Sequence, residues 1–319
     1  MPCFNEQRTI RSLLDSVYHQ SYPREKLEVI VADGLSTDQT RQEIEGFKKD
    51  NKDLEIRVID NPKRSIPSGL NQALAAADGE YIVRLDAHSI PATDYITRSV
   101  TALKSGLGDN VGGLWEIKPG SDTWQGRSIA RAAAHPLGAG DARYRVGGKA
   151  QEVDTVPFGA FQLSLINRIG NFDETLLTNE DYEFNYRIRQ AGGKIWFDPD
   201  IKSVYIARQN LEELARQYWR YGYWKVRMLK RFPESFRWRQ LAGLFVISIP
   251  VLALLGIWLN WARWLLLFEV AAYLLALLLV GLQLAARYRD VSLLWGVPLA
   301  IATMHFSWGT AFIWSMISR

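Results

Sequence analysis

One cysteine, Cys3, in 319 residues excludes an intrachain disulfide and fits a reducing compartment. Net charge is also scarce: 38 Lys and Arg against 34 Asp and Glu leave +4, too little to point to nucleic acid. No signal peptide opens the chain. No strand opens it either, because Met1-Pro-Cys-Phe-Asn-Glu6 looks like a loop leaving a strand and has no apolar run before it. Beyond about residue 240, charge is nearly absent.

What is present falls into two parts. The chain is 48% hydrophobic with 12 Trp, yet its mean hydropathy is slightly negative. Up to about residue 239 it has the composition of a soluble α/β protein. The remainder is three apolar blocks at 241–259, 264–286 and 291–317, each as long as the roughly 20 residues needed to cross a bilayer. Bases crowd just before the first block, at Arg216, Arg220, Lys225, Arg227, Lys230, Arg231, Arg237 and Arg239, and recur at Arg287 and Arg289, with Arg263 alone between blocks one and two. Under the positive-inside rule the N-terminal part is cytoplasmic and the C-terminus outside, in a multi-pass protein of the inner membrane. Glu269 and His305, inside the blocks, are functional candidates by default, although Glu269 near an end could simply snorkel.

Within the first part, apolar runs at 27–32, 54–59 and 81–85 read as buried strands. Helical spacings predict helices over 9–19, 40–49, 67–77 and 94–104. This alternation means βαβ units and a mostly parallel sheet. Further strands are expected at 111–117, 153–164 and 194–197, a loop at 138–148, a short helical turn at 166–173 and a helix at 182–190. Residues 211–232 form an amphipathic helix with interleaved aromatics and bases. Nucleic-acid stacking fits that pattern, but the apolar tail that follows favours a helix lying on the membrane surface.

The stretch Asp86-Ala-His88 follows the strand at 81–85. Residues two apart on an extended segment project to one side, so Asp86 and His88 can face a cleft at the carboxyl end of the strand. A carboxylate with an imidazole suits Mn²⁺ somewhat better than Mg²⁺. The plainer alternative is that Asp86 caps a loop and His88 packs beside it. Glu180 and Asp181 open a helix, where acidic residues also serve the helix dipole.

Five segments in order, Pro2-Cys-Phe-Asn-Glu6, Asp33-Gly-x-Ser-x-Asp38-x-Thr40, Asp86-Ala-His88, Asn179-Glu180-Asp181 and Gln217-Tyr-Trp-Arg220-Tyr221, resemble the family 2 glycosyltransferases of the GT-A fold, over about residues 1–235. Phrases such as Arg-Leu-Asp-Ala-His-Ser are similar to those of succinoglycan-type exopolysaccharide enzymes. The resemblance implies a GT-A catalytic domain over 1–210, an interfacial helix over 211–239 and a membrane domain over 240–319. It implies an inverting transferase that moves a sugar from a nucleotide donor, UDP-glucose first, to a lipid-linked oligosaccharide or growing polysaccharide at the cytoplasmic face. It implies a nucleotide pocket of Pro2, Phe4, Glu6, Asp33, Arg64 and Asp86, and a divalent metal, Mn²⁺ or Mg²⁺, at Asp86 and His88. Asp181 would be the general base with Glu180 beside it. Gln217, Trp219 and Arg220 would meet the acceptor or phosphates, although Arg64 and Arg220 could equally be solvated surface residues.

Two departures accompany the resemblance. His88 replaces the usual second acid of the metal motif. The family's first strand is absent, as in a chain with a misassigned start or a truncated, inactive one. A processive synthase, a polyprenyl-phosphate sugar transferase and a catalytically dead membrane scaffold are the competing readings. A two-carboxylate hydrolase would leave the Asp33 loop unexplained.

Overall fold

A computed structural model describes residues 1–237 and 241–318, with the backbone alone for 241–244. Arg239, counted above among the bases, and the 239/240 boundary lie outside the described residues. Two compact units emerge, Met1–Glu116 with Gly147–Tyr205, and Ile117–Val146 with Ile206–Arg319. In chain order the elements begin β1 (Pro2–Cys3), α1 (Ile10–Tyr18), β2 (Glu28–Asp33), α2 (Thr40–Asp50), β3 (Glu55–Asp60) and α3 (Ile66–Ala75). Next come β4 (Tyr81–Val83), β5 (Ile90–Pro91), α4 (Tyr95–Lys104) and β6 (Asn110–Lys118). Three helices of the second unit follow, α5 (Trp124–Ala133), α6 (Pro136–Ala139) and α7 (Arg143–Val146). Then come β7 (Gln151–Glu152), β8 (Ala160–Gln162), α8 (Leu165–Ile169), α9 (Glu180–Gln190) and β9 (Ile195–Ile206). Helices α10 (Leu211–Arg231), α11 (Leu241–Leu255), α12 (Asn260–Tyr288) and α13 (Leu293–Ile317) complete the chain.

The first unit is α/β because its apolar residues leave few alternatives. Ile10, Leu13, Leu14 and Val17 form one buried stripe of α1, and Ile44 and Phe47 do the same for α2. Strand β2 is buried from Val29 to Asp33, as a strand covered on both faces must be. β1, β2 and β3 are parallel, with Pro2 beside Ala32 and Val29 beside Ile56. The remaining strands form a second sheet in the order β4-β8-β6-β9-β5, with β7 against β9. Its β4/β8, β6/β8, β5/β9 and β7/β9 pairs are antiparallel. The expected parallel arrangement therefore describes the N-terminal sheet, and the unit as a whole is mixed.

Pro2 and Cys3, which read as loop in the sequence, form a two-residue strand beside β2, and the Met1 ammonium donates to the Ile30 carbonyl at 2.8 Å. Burial lowers the pKa of that ammonium to about 6. Beyond Met1 the two sheets part. A cavity of about 340 Å³ lies between β2 and β4, lined by Met1, Val29, Ile30, Tyr81, Val83 and Phe161 among others. A chain extended before Met1 by four apolar, β-branched residues should fill this gap and melt about 5 °C higher, since each buried side chain contributes about 1.5–3 kcal/mol before ordering costs. An unchanged melting curve would show that the gap does not accept a strand.

Several elements differ from expectation. β9 runs on to Ile206 although Asp198-Pro199-Asp200 has the composition of a turn; Ile201, Ser203 and Tyr205 stay buried on alternate positions. The expected strand at 153–164 shrinks to β8, because Phe158 takes a left-handed φ of 48° just before it. The expected loop at 138–148 contains the end of α6 and all of α7, single turns too short to show a periodicity. α5, not anticipated, buries Ile129 with Ala130, Ala132 and Ala133, and Thr123 caps it by accepting from Gly126 N.

In the second unit α13 packs against α5, α6, α10, α11 and α12. Glycines make three of these approaches close. A Cβ on Gly222 of α10 would lie 2.2 Å from the Trp308 carbonyl oxygen, and one on Gly281 of α12 2.5 Å from that of Leu294. A Cβ on Gly296 of α13 would lie 2.1 Å from Ser128 Oγ of α5. His305 is hydrogen-bonded to the Leu137 carbonyl and to Tyr273 Oη, each at 3.0 Å. Glu269 accepts from Ser248 Oγ. Both residues flagged above thus have packing partners.

Among the described residues, α12 alone is long and apolar enough to cross a membrane by length and composition. This corrects the expectation of three spans. α11 has 15 residues. α13 has 25, but Gly296, Thr303, His305, Ser307, Gly309, Thr310 and Ser315 dilute its apolar character, and one face of it is buried. α12 instead leaves Trp261, Trp264, Leu267, Phe268, Leu274 and Leu278 exposed.

Candidate active site

Two loops at the carboxyl ends of β1 and β2 are tied into one surface. Asn5 Oδ1 accepts from Thr37 N at 2.9 Å, Asn5 N donates to Ser36 Oγ at 2.8 Å, and Glu6 N donates to Thr40 Oγ1 at 2.8 Å. Gly34 makes a close approach between them: a Cβ there would lie 3.1 Å from Phe4 Cδ2 and 3.3 Å from Cys3 O, so both would have to give by a few tenths of an ångström. Asp33 ends β2 with its side chain fully buried. Its carboxylate accepts from Ser36 N at 3.0 Å, Ser36 Oγ at 2.5 Å and Arg41 Nε at 2.6 Å. Arg41 reaches on to Asp60 at 2.6 Å.

Phe4 is exposed, and the Arg64 guanidinium lies 5.6 Å from its ring centroid. Pro2 instead is buried in β1, and a Cβ on Gly69 of α3 would be 3.2 Å from it. Within the pocket expected from sequence, then, Phe4 and Arg64 face outward and Pro2 faces the core.

β4 ends at Val83, and the chain turns at 86–89, where Ser89 N donates to Asp86 O at 2.9 Å. Asp86 and His88 therefore sit on a turn and not on the extended segment expected from sequence; Arg84, Leu85 and Ala87 are buried, Asp86 is partly open and His88 is exposed. Arg84 is 7% exposed and donates from Nε to Asp86 Oδ1 at 3.3 Å and from Nη2 to Glu180 Oε1 at 2.8 Å. Its backbone N donates to Gly159 O at 3.1 Å. Glu180 and Asp181 open α9 after Asn179, which sits in the left-handed region with φ 68°. Glu180 is buried; Asp181 keeps part of its surface open and accepts from Tyr182 N at 2.7 Å. Burial raises the pKa of both carboxyls, against the pull of the Arg84 cation.

His88 Nδ1 lies 3.3 Å from Glu6 Oε1. Burial disfavours the charge on Glu6, but hydrogen bonds from His88 and Thr9 outweigh it and hold that carboxyl below its usual range. Among the described residues no three His, Cys, Asp or Glu side chains converge as a metal cage. One carboxylate and one imidazole are a donor set that fits a divalent ion whose remaining positions are filled by a ligand's oxygens.

Backbone strain marks the same loops. Six described non-glycine residues have positive φ, and Asn5, Leu35, Arg64, Phe158 and Asn179 all lie on segments that carry or touch these groups. Sequence reasoning missed Arg84 and Arg41. The available signal for Arg84 was a lone cation in an otherwise apolar strand, two residues ahead of a carboxylate.

Gln217, Trp219 and Arg220 lie on α10 in the second unit. Gln217 Nε2 donates to Tyr221 Oη at 2.9 Å, and Trp219 and Arg220 are exposed.

Parallel β-strands carrying acidic loops at their carboxyl ends, joined to an antiparallel sheet, describe a GT-A fold. The solved structure of a mannosyltransferase from Pyrobaculum calidifontis, in complex with GDP-Man and Mn²⁺, superposes with a TM-score of 0.60 at 23% identity, covering 95% of this chain and 85% of that one. Residues 1–170 match the profile of glycosyl transferase family 2. The succinoglycan biosynthesis protein ExoA of Rhizobium meliloti is 30% identical over 317 residues, 98% of this chain and 92% of that protein. A dolichyl N-acetyl-α-D-glucosaminyl phosphate 3-β-D-2,3-diacetamido-2,3-dideoxy-β-D-glucuronosyltransferase of Methanococcus voltae is 24% identical over 316 residues, 96% of this chain and 92% of that protein. The chain belongs to glycosyl transferase family 2, and it is a glycosyltransferase.

Proposed function

We propose that the chain moves a hexose from a nucleoside diphosphate, UDP-hexose first, to a lipid-linked oligosaccharide or growing exopolysaccharide at the cytoplasmic face of the inner membrane, with inversion. The observation that carries this reading is the Arg84 cluster, in which Arg84 engages Asp86 and Glu180 and the adjoining Asp181 is partly open. The names of the two relatives, a succinoglycan biosynthesis protein and a transferase acting on a dolichyl-phosphate sugar, support the acceptor class.

Asp33 and the exposed Phe4 would hold the nucleoside, with Pro2 and Glu6 supporting that loop, and Arg64 would reach the diphosphate, where a guanidinium suits bidentate contact. Asp86 and His88 would hold Mn²⁺ or Mg²⁺ together with the diphosphate oxygens, and the ion would offset charge on the leaving group. Asp181 would take the proton from an acceptor hydroxyl as its oxygen bonds to the anomeric carbon. The bond from that carbon to the diphosphate breaks on the opposite face, so configuration inverts and nucleoside diphosphate leaves. Glu180 would keep Asp181 in place through its bond to Arg84.

Gln217, Trp219 and Arg220 on α10 would meet the acceptor or its phosphates. The exposed apolar surface of α12 and its Trp residues fit lipid. The bases of α10 from Arg216 to Arg231, apart from Lys225, which is buried and donates to Ser235 O, fit anionic headgroups on the cytoplasmic side.

The test is nucleotide release by the full chain in nanodiscs with Mn²⁺, across UDP-, GDP- and dTDP-hexoses with lipid-phosphate and polysaccharide acceptors. One added sugar per acceptor supports the proposal, and long products favour a processive synthase. Absence of both turnover and nucleotide binding would leave the scaffold reading.

A further inference from the structure

We propose that Arg84 is the positioning residue that sets the two sides of the transfer site at a fixed spacing, one guanidinium engaging Asp86 after β4 and Glu180 at the start of α9. The inference rests on the reading of Asp181 as the base and adds a residue that the sequence motifs did not single out. Arg84 and Glu180 are 96 positions apart in sequence, and both are buried where they meet at 2.8 Å. The second contact, to Asp86, is made by a different nitrogen of the same planar group at 3.3 Å. The two acidic partners therefore share one rigid fork, which a lysine ammonium on a flexible stem cannot reproduce.

The fork is itself held. Arg84 N is bonded to Gly159 O, the Phe158 ring centroid lies 6.0 Å from the guanidinium carbon, and Tyr95 Oη donates to Phe158 O at 3.0 Å. Asp181 follows Glu180 directly on α9, so fixing the Glu180 side chain fixes the first turn that carries the base. The Arg84 cation is also drawn to Asp86, Glu180 and Asp181 together, which allows three carboxyls to crowd one site.

The experiment compares Arg84→Lys, Glu180→Gln and Asp181→Asn in the full chain in nanodiscs, with the hexose nucleotide that turns over best in the wild type. It reads kcat, donor KM and melting temperature. Arg84→Lys is expected to fold, to keep donor KM within about threefold and to lose about 100-fold in kcat. Glu180→Gln retains the shape of the acid and keeps a weaker bond to Arg84, so it should lose about tenfold. Combining it with Arg84→Lys should add little further loss, because both act through one contact.

A kcat within threefold of wild type in Arg84→Lys overturns the proposal, as does a loss confined to donor KM. If Arg84→Lys does not fold, Glu180→Gln decides: full kcat overturns the proposal, and a selective kcat loss supports it. Activity in Asp181→Asn would instead overturn the base assignment on which the inference rests.

Discussion

Asp181→Asn is expected to lower sugar transfer about 1,000-fold while nucleotide binding stays within twofold of wild type. The substitution keeps the shape of the side chain and leaves an oxygen to accept from Tyr182 N. What it removes is the carboxylate lone pair that the proposed mechanism assigns to the acceptor's proton. The fold should not suffer. Burial raises the pKa of this carboxyl, so its ionised form works against stability once pH rises through that value. A neutral amide escapes that cost, and the variant should melt at or above the wild-type temperature at pH 7. Initial rates of nucleotide release, with calorimetric titration of the same nucleotide, check both halves. More than a tenth of the wild-type rate would remove Asp181 from the base role.

The second large effect is expected at Asp33. Asp33→Ala strips the acceptor from Ser36 N, Ser36 Oγ and Arg41 Nε at once. A buried carboxylate with three donors contributes more than a surface pair, but Arg41 is 42% exposed and water can take over part of its charge. The expected loss is therefore about 2–4 kcal/mol, below the full figure for breaking a buried pair. Nucleotide affinity should fall at least tenfold, because the 34–40 loop loses its tether below Phe4. Asp33→Asn separates the two effects: it retains acceptance from Ser36 and should keep most of the stability while still weakening nucleotide binding. If Asp33→Asn binds nucleotide as wild type does, the base of the donor is recognised elsewhere.

Much of this site could be read from sequence because its parts lie at the ends of apolar runs. Asp33 ends the apolar run of β2, and Asp86 follows β4 by three residues, so strand and turn chemistry placed both at the carboxyl end of a strand. Arg84 escaped notice because its neighbours defined the strand and a single cation did not change the pattern. The contact from Arg84 to Glu180 joins distant segments, and nothing local encodes it. The apolar signal of β9 ends at Phe197, yet the sheet accepts Asp198-Pro199-Asp200 within a continuous strand to Ile206. α5 carries too little apolar signal, since Ile129 is the one large side chain on its buried face and the rest are Gly, Ser and Ala. The three-span expectation treated length as sufficient. In α13 the small and polar residues that lower its apolar character are the ones that let other helices approach.

Those approaches set the bundle apart from the α/β unit in the kind of force that holds it. At Gly222, Gly281 and Gly296, backbone meets a neighbouring helix with no room for a methyl group. Attraction of that sort comes from van der Waals fit and does not need water to be expelled. The α/β unit, with Val31, Ile44 and Phe47 at its centre, depends on that expulsion. A mild detergent therefore leaves the helix contacts in force, whereas urea attacks the two units unequally and should loosen the α/β unit first.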